Sequence, residues 1–416
     1  MKTHRLATLA LFLLLPTLCH GDLIVFPELS AMLIAGQRPV KIVGFGDSIT
    51  GVYYHTGGRR AWPEMLGVAL QRVYPQAKLE MINAGVSGGN TASGLARMAK
   101  DVLAHQPDLV VIMFGMNDVV AHGPEVYEAN LRTMVAKCRA INAQVLLCTP
   151  NWIAPNNGSR DLTKLTAYAE IVRKVAAELA VPLTDCFAVY EAAHARDVRE
   201  WTKLMSDGIH PNMRGHELFA ESMAETITGR KVSLEDVGPL PGLPHVLKKL
   251  QANQPLRIVA MPPFDELIGP ALTALFPQAQ LETVKWETAG QTVAQIEAQA
   301  KAQGWMAMHN DPKLPHPDLV VFAVPPDATA PDLESYYHSY TWVLNWSLSF
   351  GVAQWDAFAV LPEVAQPQLN DEETMRAGWA REVVTGQDLP YLVRPEGSEA
   401  GAAELLREWL RAQLQP

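Results

Sequence analysis

The pentapeptide Pro-Asp-Leu-Val-Val occurs twice in this chain, at residues 107–111 and again at 317–321. Around each copy lie segments of the same kind in the same order. Leu256–Ala260 (LRIVA) echoes Val40–Gly44 (VKIVG), and Leu275–Leu281 (LFPQAQL) echoes Val73–Leu79 (VYPQAKL). Ala357–Pro362 (AFAVLP) matches Val145–Pro150 (VLLCTP) in place and character. Self-similarity that keeps its register marks a repeated structural unit. The chain is therefore expected to hold two domains of one fold, and its 416 residues are enough for two.

Within the first unit, short apolar runs alternate with helical periodicity. Lys41–Phe45, Leu79–Ile82, Asp108–Phe114, Gln144–Cys148 and Val181–Asp185 read as strands. Asp108–Phe114 (DLVVIMF) is apolar almost throughout, as a strand covered on both faces must be. Trp62, Leu66, Ala69, Leu70 and Val73 recur at helical spacing with Pro63 in the first turn. Leu95–Leu103, Glu125–Ile141, Leu162–Leu179 and Gly215–Ile227 are further helices. Alternating βα units predict an α/β fold, a three-layer α/β/α sandwich around a parallel sheet, present here in tandem. The stretch 231–254, with Pro239, Pro241 and Pro244, reads as a linker containing one short helix. It separates a first domain at 22–230 from a second at 255–416.

The N-terminus has the layout of a signal peptide. Lys2, His4 and Arg5 precede an apolar run from Leu6 to Leu15, which ends at Pro16–Gly21. The run is too short to span a bilayer comfortably. Residues 1–21 are thus expected to be removed, leaving a secreted or periplasmic protein with no stable membrane insertion; an uncleaved membrane anchor is the alternative reading. A composition of 48% apolar and 19% charged residues is that of a globular protein. The net charge of −10 argues against nucleic acid as a partner and against an anionic membrane surface. Once Cys19 leaves, Cys138, Cys148 and Cys186 remain, an odd and irregular set that is no disulfide framework. No Cys-x-x-Cys or His-x-x-x-His pair points to a metal.

Four blocks in the first unit carry chemistry. Gly46-Asp47-Ser48-Ile49-Thr50 follows the first strand, placing Ser48 at the carboxyl edge of the sheet, where open α/β folds bind ligands. Ser87-Gly88-Gly89-Asn90 follows the second strand; small residues there let a backbone amide approach a substrate. Gly115-Met116-Asn117-Asp118 follows the third and offers the Asn117 side-chain amide. Asp207-Gly208-Ile209-His210 precedes the last helix and pairs an imidazole base with a carboxylate to orient it. Taken singly, each block has a bland reading as a turn or a helix cap. Their shared order along one sheet edge gathers them in one place.

Together GDSIT, Gly88, GMND and DGIH resemble the four signature blocks of the SGNH, or GDSL-type, hydrolases over roughly residues 38–230. The resemblance implies a sandwich with a parallel sheet of about five strands. It also implies Ser48 as nucleophile, His210 as general base and Asp207 as the group orienting it. The oxyanion hole would be the Ser48 amide, the Gly88 amide and the Asn117 side chain. Such acyl transfer needs no metal or organic cofactor. Asp47, Trp62, Arg59-Arg60 and Trp152 are candidates for shaping the substrate site. The expected substrate is a small-molecule or glycan ester, with O-acetyl groups on carbohydrate placed first. A lysophospholipase or acyl thioesterase is the runner-up. A non-catalytic glycan-binding or scaffold protein is the alternative of another class.

The second unit lacks the blocks. Aligned on the repeated segments, Phe264 stands for Ser48, Pro325 for Gly115, Asp327 for Asn117 and Arg394 for His210; only Gly88 keeps a counterpart, Gly290. This copy is expected to be catalytically silent. It holds seven of the ten tryptophans and the cluster Tyr336, Tyr337 and Tyr340. The favoured reading of these aromatics is core and interdomain packing; a lid or glycan platform is the alternative.

Overall fold

The computed structural model describes residues 25–352 and 354–415. The expected signal segment lies outside them. Two parallel five-stranded sheets form, each covered by helices. The first contains β1 (Pro39–Gly46), β2 (Lys78–Gly85), β3 (Leu109–Met113), β4 (Gln144–Cys148) and β5 (Leu183–Thr184), in the order β2-β1-β3-β4-β5. The second contains β6 (Leu256–Ala260), β7 (Leu281–Lys285), β8 (Leu319–Phe322), β9 (Asp356–Val360) and β10 (Tyr391–Leu392), in the order β7-β6-β8-β9-β10. Position for position, this is the same order.

The equivalence extends to single hydrogen bonds. Lys41 N donates to Asp108 Oδ2 at 2.9 Å, and Arg257 N donates to Asp318 Oδ2 at 2.9 Å. These aspartates belong to the repeated Pro-Asp-Leu-Val-Val. In each sheet the aspartate sits just before the third strand and accepts an amide from the start of the first. The third strands, β3 and β8, are buried at every residue, which explains their unbroken apolar sequence.

The two units part company after the fifth strand. In the first, β5 is followed by the helices Cys186–Arg196 and Val198–Thr202, a loop, and then the helix Met213–Thr228. In the second, residues 393–401 run directly from β10 to the helix Ala402–Gln413. Strand register places Arg394 just beyond β10, level with the segment just beyond β5 and not with His210. The apparent match of Ile209-His210-Pro211 to Val393-Arg394-Pro395 is therefore not a structural one. The second unit lacks the whole segment that carries Asp207 and His210. The Arg394 guanidinium is spent on the carbonyls of Glu363, Val364, Ser398 and Ala400.

Residues 231–254 divide between the two cores. Leu234 is buried with the first, while Leu243, Val246 and Leu250 are buried with the second. The aromatics of the second unit are largely interior: Trp286, Trp346, Trp355, Tyr336, Tyr337 and Tyr340 are all buried. That is the packing role. Among the described residues no helix is long and apolar enough to cross a membrane.

Candidate active site

In a sheet ordered β2-β1-β3, the chain leaves β1 in one direction and returns on its other side. The crevice beyond the carboxyl ends of β1 and β3 is the place where such folds bind ligands. Ser48 lies there, in the turn after β1. Gly46 permits that turn, because a Cβ at this position would stand 2.0 Å from Thr50 Oγ1 and 2.4 Å from the Met113 carbonyl oxygen. The amides of Thr50 and Gly51 donate to the Asp47 carbonyl at 3.1 Å each, and Ile49 N donates to Asp47 Oδ1 at 2.9 Å. The Asp47 side chain is thus folded beneath the turn, and burial pushes its carboxyl up to about 7. It braces Ser48 from below and has no surface to offer a substrate.

The hydroxyl of Ser48 is 2.9 Å from His210 Nε2, and His210 Nδ1 is 2.8 Å from Asp207 Oδ2. Asp207 Oδ1 accepts the amides of Ile209 and His210 at 2.8 and 2.7 Å. Burial alone would raise the Asp207 carboxyl. The charge and hydrogen bond of His210, the nearby His55 and the Ile209 amide outweigh it and hold the group well below the usual carboxylate range. An ionised carboxylate only accepts. It therefore fixes the His210 proton on Nδ1 and leaves Nε2 as the acceptor for the Ser48 hydroxyl.

Two backbone amides lie in the turns that follow β1 and β2, those of Ser48 and Gly88. Gly88 has φ +71°, and its position has open space on the side a Cβ would occupy. Among the described residues, neither Gly88 N nor Ser48 N donates to another backbone group. Asn117 completes the set. Its Oδ1 accepts from Arg160 Nη2 at 3.0 Å, and its Nδ2 donates to the Gly89 carbonyl at 2.9 Å, which leaves one N–H free. Arg160 also donates from Nε to the Met116 carbonyl at 2.7 Å, so it fixes which way the Asn117 amide points. Next to it, buried Asp118 accepts the Thr91 amide at 2.9 Å and ties the third block to the second.

Further groups enter that sequence reasoning missed. His55 lies flat on His210, with ring centroids 3.7 Å apart and planes 13° from parallel. Its Nδ1 is 3.8 Å from Asp207 Oδ2 and has no hydrogen-bond partner. Burial, together with His210, drives its pKa well below the ordinary histidine value, so the ring is neutral. Parallel rings direct their lone pairs side by side, not toward one point. The trio His55, Asp207 and His210 is close enough for a metal but lacks the convergence of a tetrahedral cage. The aromatic run Tyr53-Tyr54-His55 was the available signal for His55. Arg160, in an irregular loop after β4, had none.

Other expected substrate contacts take structural roles. Trp62 is fully buried; its Nε1 donates to Thr50 Oγ1 at 3.3 Å under the Ser48 turn. Arg60 donates to buried Asp388 at 2.8 and 2.7 Å, and Arg59 donates to the carbonyls of Leu240, Pro241 and Gly242. Trp152 is nearly buried against His194 and Trp201. Its neighbour Asn151 donates to the Ile209 carbonyl at 3.1 Å, so this segment lies beside the His210 turn.

This fold and this site define a carboxylic ester hydrolase of the serine type. The family model for GDSL-like lipases and acylhydrolases matches residues 45–218. An arylesterase from Vibrio mimicus is 31% identical over 50% of this chain and 96% of its own length. An acetylxylan esterase from Geobacillus stearothermophilus is 28% identical over 45% of this chain and 93% of its own. Thioesterase 1/protease 1/lysophospholipase L1 of Escherichia coli strain K12 is 31% identical over 44% of this chain and 80% of its own. The chain belongs to the GDSL-like lipase/acylhydrolase family, the SGNH hydrolases.

Proposed function

We propose that the chain is an exported esterase that removes acetyl groups from carbohydrate, with Ser48, His210 and Asp207 as its triad. The observation that carries the triad is the unbroken line from Ser48 Oγ through His210 to Asp207, at 2.9 and 2.8 Å. The Ser48 oxygen attacks the ester carbonyl while His210 Nε2 takes its proton. The carbonyl oxygen becomes an oxyanion facing the amides of Ser48 and Gly88 and the free N–H of Asn117. Each such donor stabilises the transition state by about 2.7–4 kcal/mol. His210 returns the proton to the departing alcohol. It then activates water, which releases the acid and restores Ser48.

The carbohydrate acetyl reading draws on the acetylxylan esterase among the relatives and on the signal-like N-terminus. The E. coli thioesterase and lysophospholipase supports the long-acyl alternative. We read the second unit as a degenerate copy of the first, on the shared strand order and the paired Asp108 and Asp318 contacts. Without a serine at Phe264, and without the Asp-His segment, it supplies no second active site.

The test compares p-nitrophenyl acetate, p-nitrophenyl decanoate and acetylated xylo-oligosaccharide, using wild type and Ser48→Ala. Acetate release from the oligosaccharide that vanishes in the variant supports the reading. Preference for the decanoyl ester by tenfold or more in kcat/KM moves the assignment to the long-acyl class.

A further inference from the structure

The turn that carries the base is rigid within itself but must be held against Ser48 from outside. Ser206 N and Asp207 N both donate to the His210 carbonyl, at 2.8 and 3.3 Å, which closes the turn into a small ring. One outside hold comes from the first unit, through Asn151 on Ile209. The other comes from the second unit. Asn345 sits on the helix Leu333–Ser347, among the buried Val343, Leu344 and Trp346, and is itself fully buried. Its Nδ2 donates to the Ser206 carbonyl at 3.1 Å, and its Oδ1 accepts the Ser206 hydroxyl at 3.1 Å. A buried amide on an apolar helix face is costly unless it is bonded. Here both of its ends are spent on the residue immediately before Asp207.

A further contact with the second unit reaches His210 through the segment that carries His55. Tyr54 belongs to the first unit in sequence but is buried in the core of the second, stacked on Trp305 with centroids 5.3 Å apart. Its amide donates to the Phe350 carbonyl at 3.3 Å, and two residues on, the Thr56 carbonyl accepts from Asp388 N at 3.1 Å. Between these anchors stands His55, the ring that covers the face of His210. Asn345 and the anchors of the Tyr54-His55 segment thus all belong to the second unit.

We infer that the second unit is a working part of the esterase centre: Asn345, acting through Ser206, and the Tyr54-His55 segment are positioning elements that hold His210 in line with Ser48. This rests on the triad reading above. Misplacement of a reacting group by about 1 Å costs on the order of 10²-fold in rate. A catalytically silent copy would then be retained for its grip and not for a binding site of its own.

The test uses the full chain with p-nitrophenyl acetate and, independently of substrate, the rate at which a fluorophosphonate labels Ser48. Asn345→Leu keeps the size of the side chain and removes both bonds to Ser206. Leu410→Ala, a buried position on the helix Ala402–Gln413 of the same unit, serves as the control for simple destabilisation. At a temperature where all variants are folded by circular dichroism, Asn345→Leu should lower kcat and the labelling rate by 30-fold or more. KM should stay within twofold, and Leu410→Ala should retain both rates within twofold. Wild-type rates in folded Asn345→Leu, with Ser48→Ala inactive, overturn this inference alone. So does an equal loss in Leu410→Ala. Wild-type turnover in Ser48→Ala overturns the triad and this inference together.

Discussion

Arg60 and Asp388 offer a quantitative test of how firmly the two units are joined. Their side chains are 10% and 0% exposed, and they meet through two hydrogen bonds of 2.8 and 2.7 Å. Asp388 Oδ1 also accepts the Leu240 amide at 3.0 Å. Arg60→Met fills the same space without the charge. The buried carboxylate keeps only the Leu240 amide, and removing one partner of a buried ion pair typically costs about 3–5 kcal/mol. With an unfolding entropy of about 2.1 cal/mol/K per residue over 416 residues, that cost lowers Tm by about 3–6 °C if the units unfold together. Asp388→Asn in the same background removes the stranded charge while its oxygen still accepts from Leu240. The double variant should regain at least half of the loss. The assay is thermal unfolding followed by tryptophan fluorescence and circular dichroism, with coincident transitions taken as the sign that the units melt as one. If Arg60→Met melts within 1 °C of wild type, or the double variant is no better than the single one, then the pair does not bear on the junction and the reasoning fails.

Asn117→Ala should lower kcat by about 10²–10³-fold with little change in KM, as measured for loss of one oxyanion donor elsewhere. Arg160→Ala should produce a smaller fall of the same kind. The Asn117→Ala/Arg160→Ala double variant should be no worse than Asn117→Ala alone, because Arg160 acts by aiming that amide; additive losses would refute the link. Asp47 binds its proton more tightly in the folded protein, with a pKa near 7, than in the unfolded chain, near 3.8. Its contribution is therefore fully present below about pH 4 and is lost as pH rises through 7, by about 4 kcal/mol. Measured against Asp47→Asn, wild type should lose stability steadily from pH 4.5 to about 7 and level off above it; parallel Tm curves would contradict this.

Much of the fold was legible because the signals are local. Gln144–Cys148 reads as a strand from its apolar run, Leu256–Ala260 stands out by its likeness to Val40–Gly44, and the structure returns the same limits for both. The carboxyl-edge location of Ser48, Gly88 and Asn117 followed from each block trailing a strand. What was illegible depends on distant contacts. Arg60 looks like a solvated charge until Asp388 arrives from more than 300 positions away. Trp62 looks like a substrate platform until the sheet closes over it. The match of His210 to Arg394 failed because a three-residue resemblance cannot reveal that residues 185–212 of the first unit correspond only to residues 393–401 in the second, so that most of the segment has no counterpart. Asn345 had no signal at all, since an asparagine in a helix gains meaning only from what it touches.

The seat of Tyr54 has a consequence for the order of events during synthesis. A ribosome delivers the first sheet, the Ser48 turn and the Asp207–His210 turn well before it delivers Trp305 and the helix Leu333–Ser347. Domains generally fold as they emerge, N-terminal first. The early part of the chain thus has its nucleophile and base in hand while Tyr54 still lacks the cavity it will occupy. On the inference drawn above, the base turn is held in line with Ser48, and the full rate is reached, only when translation is nearly complete.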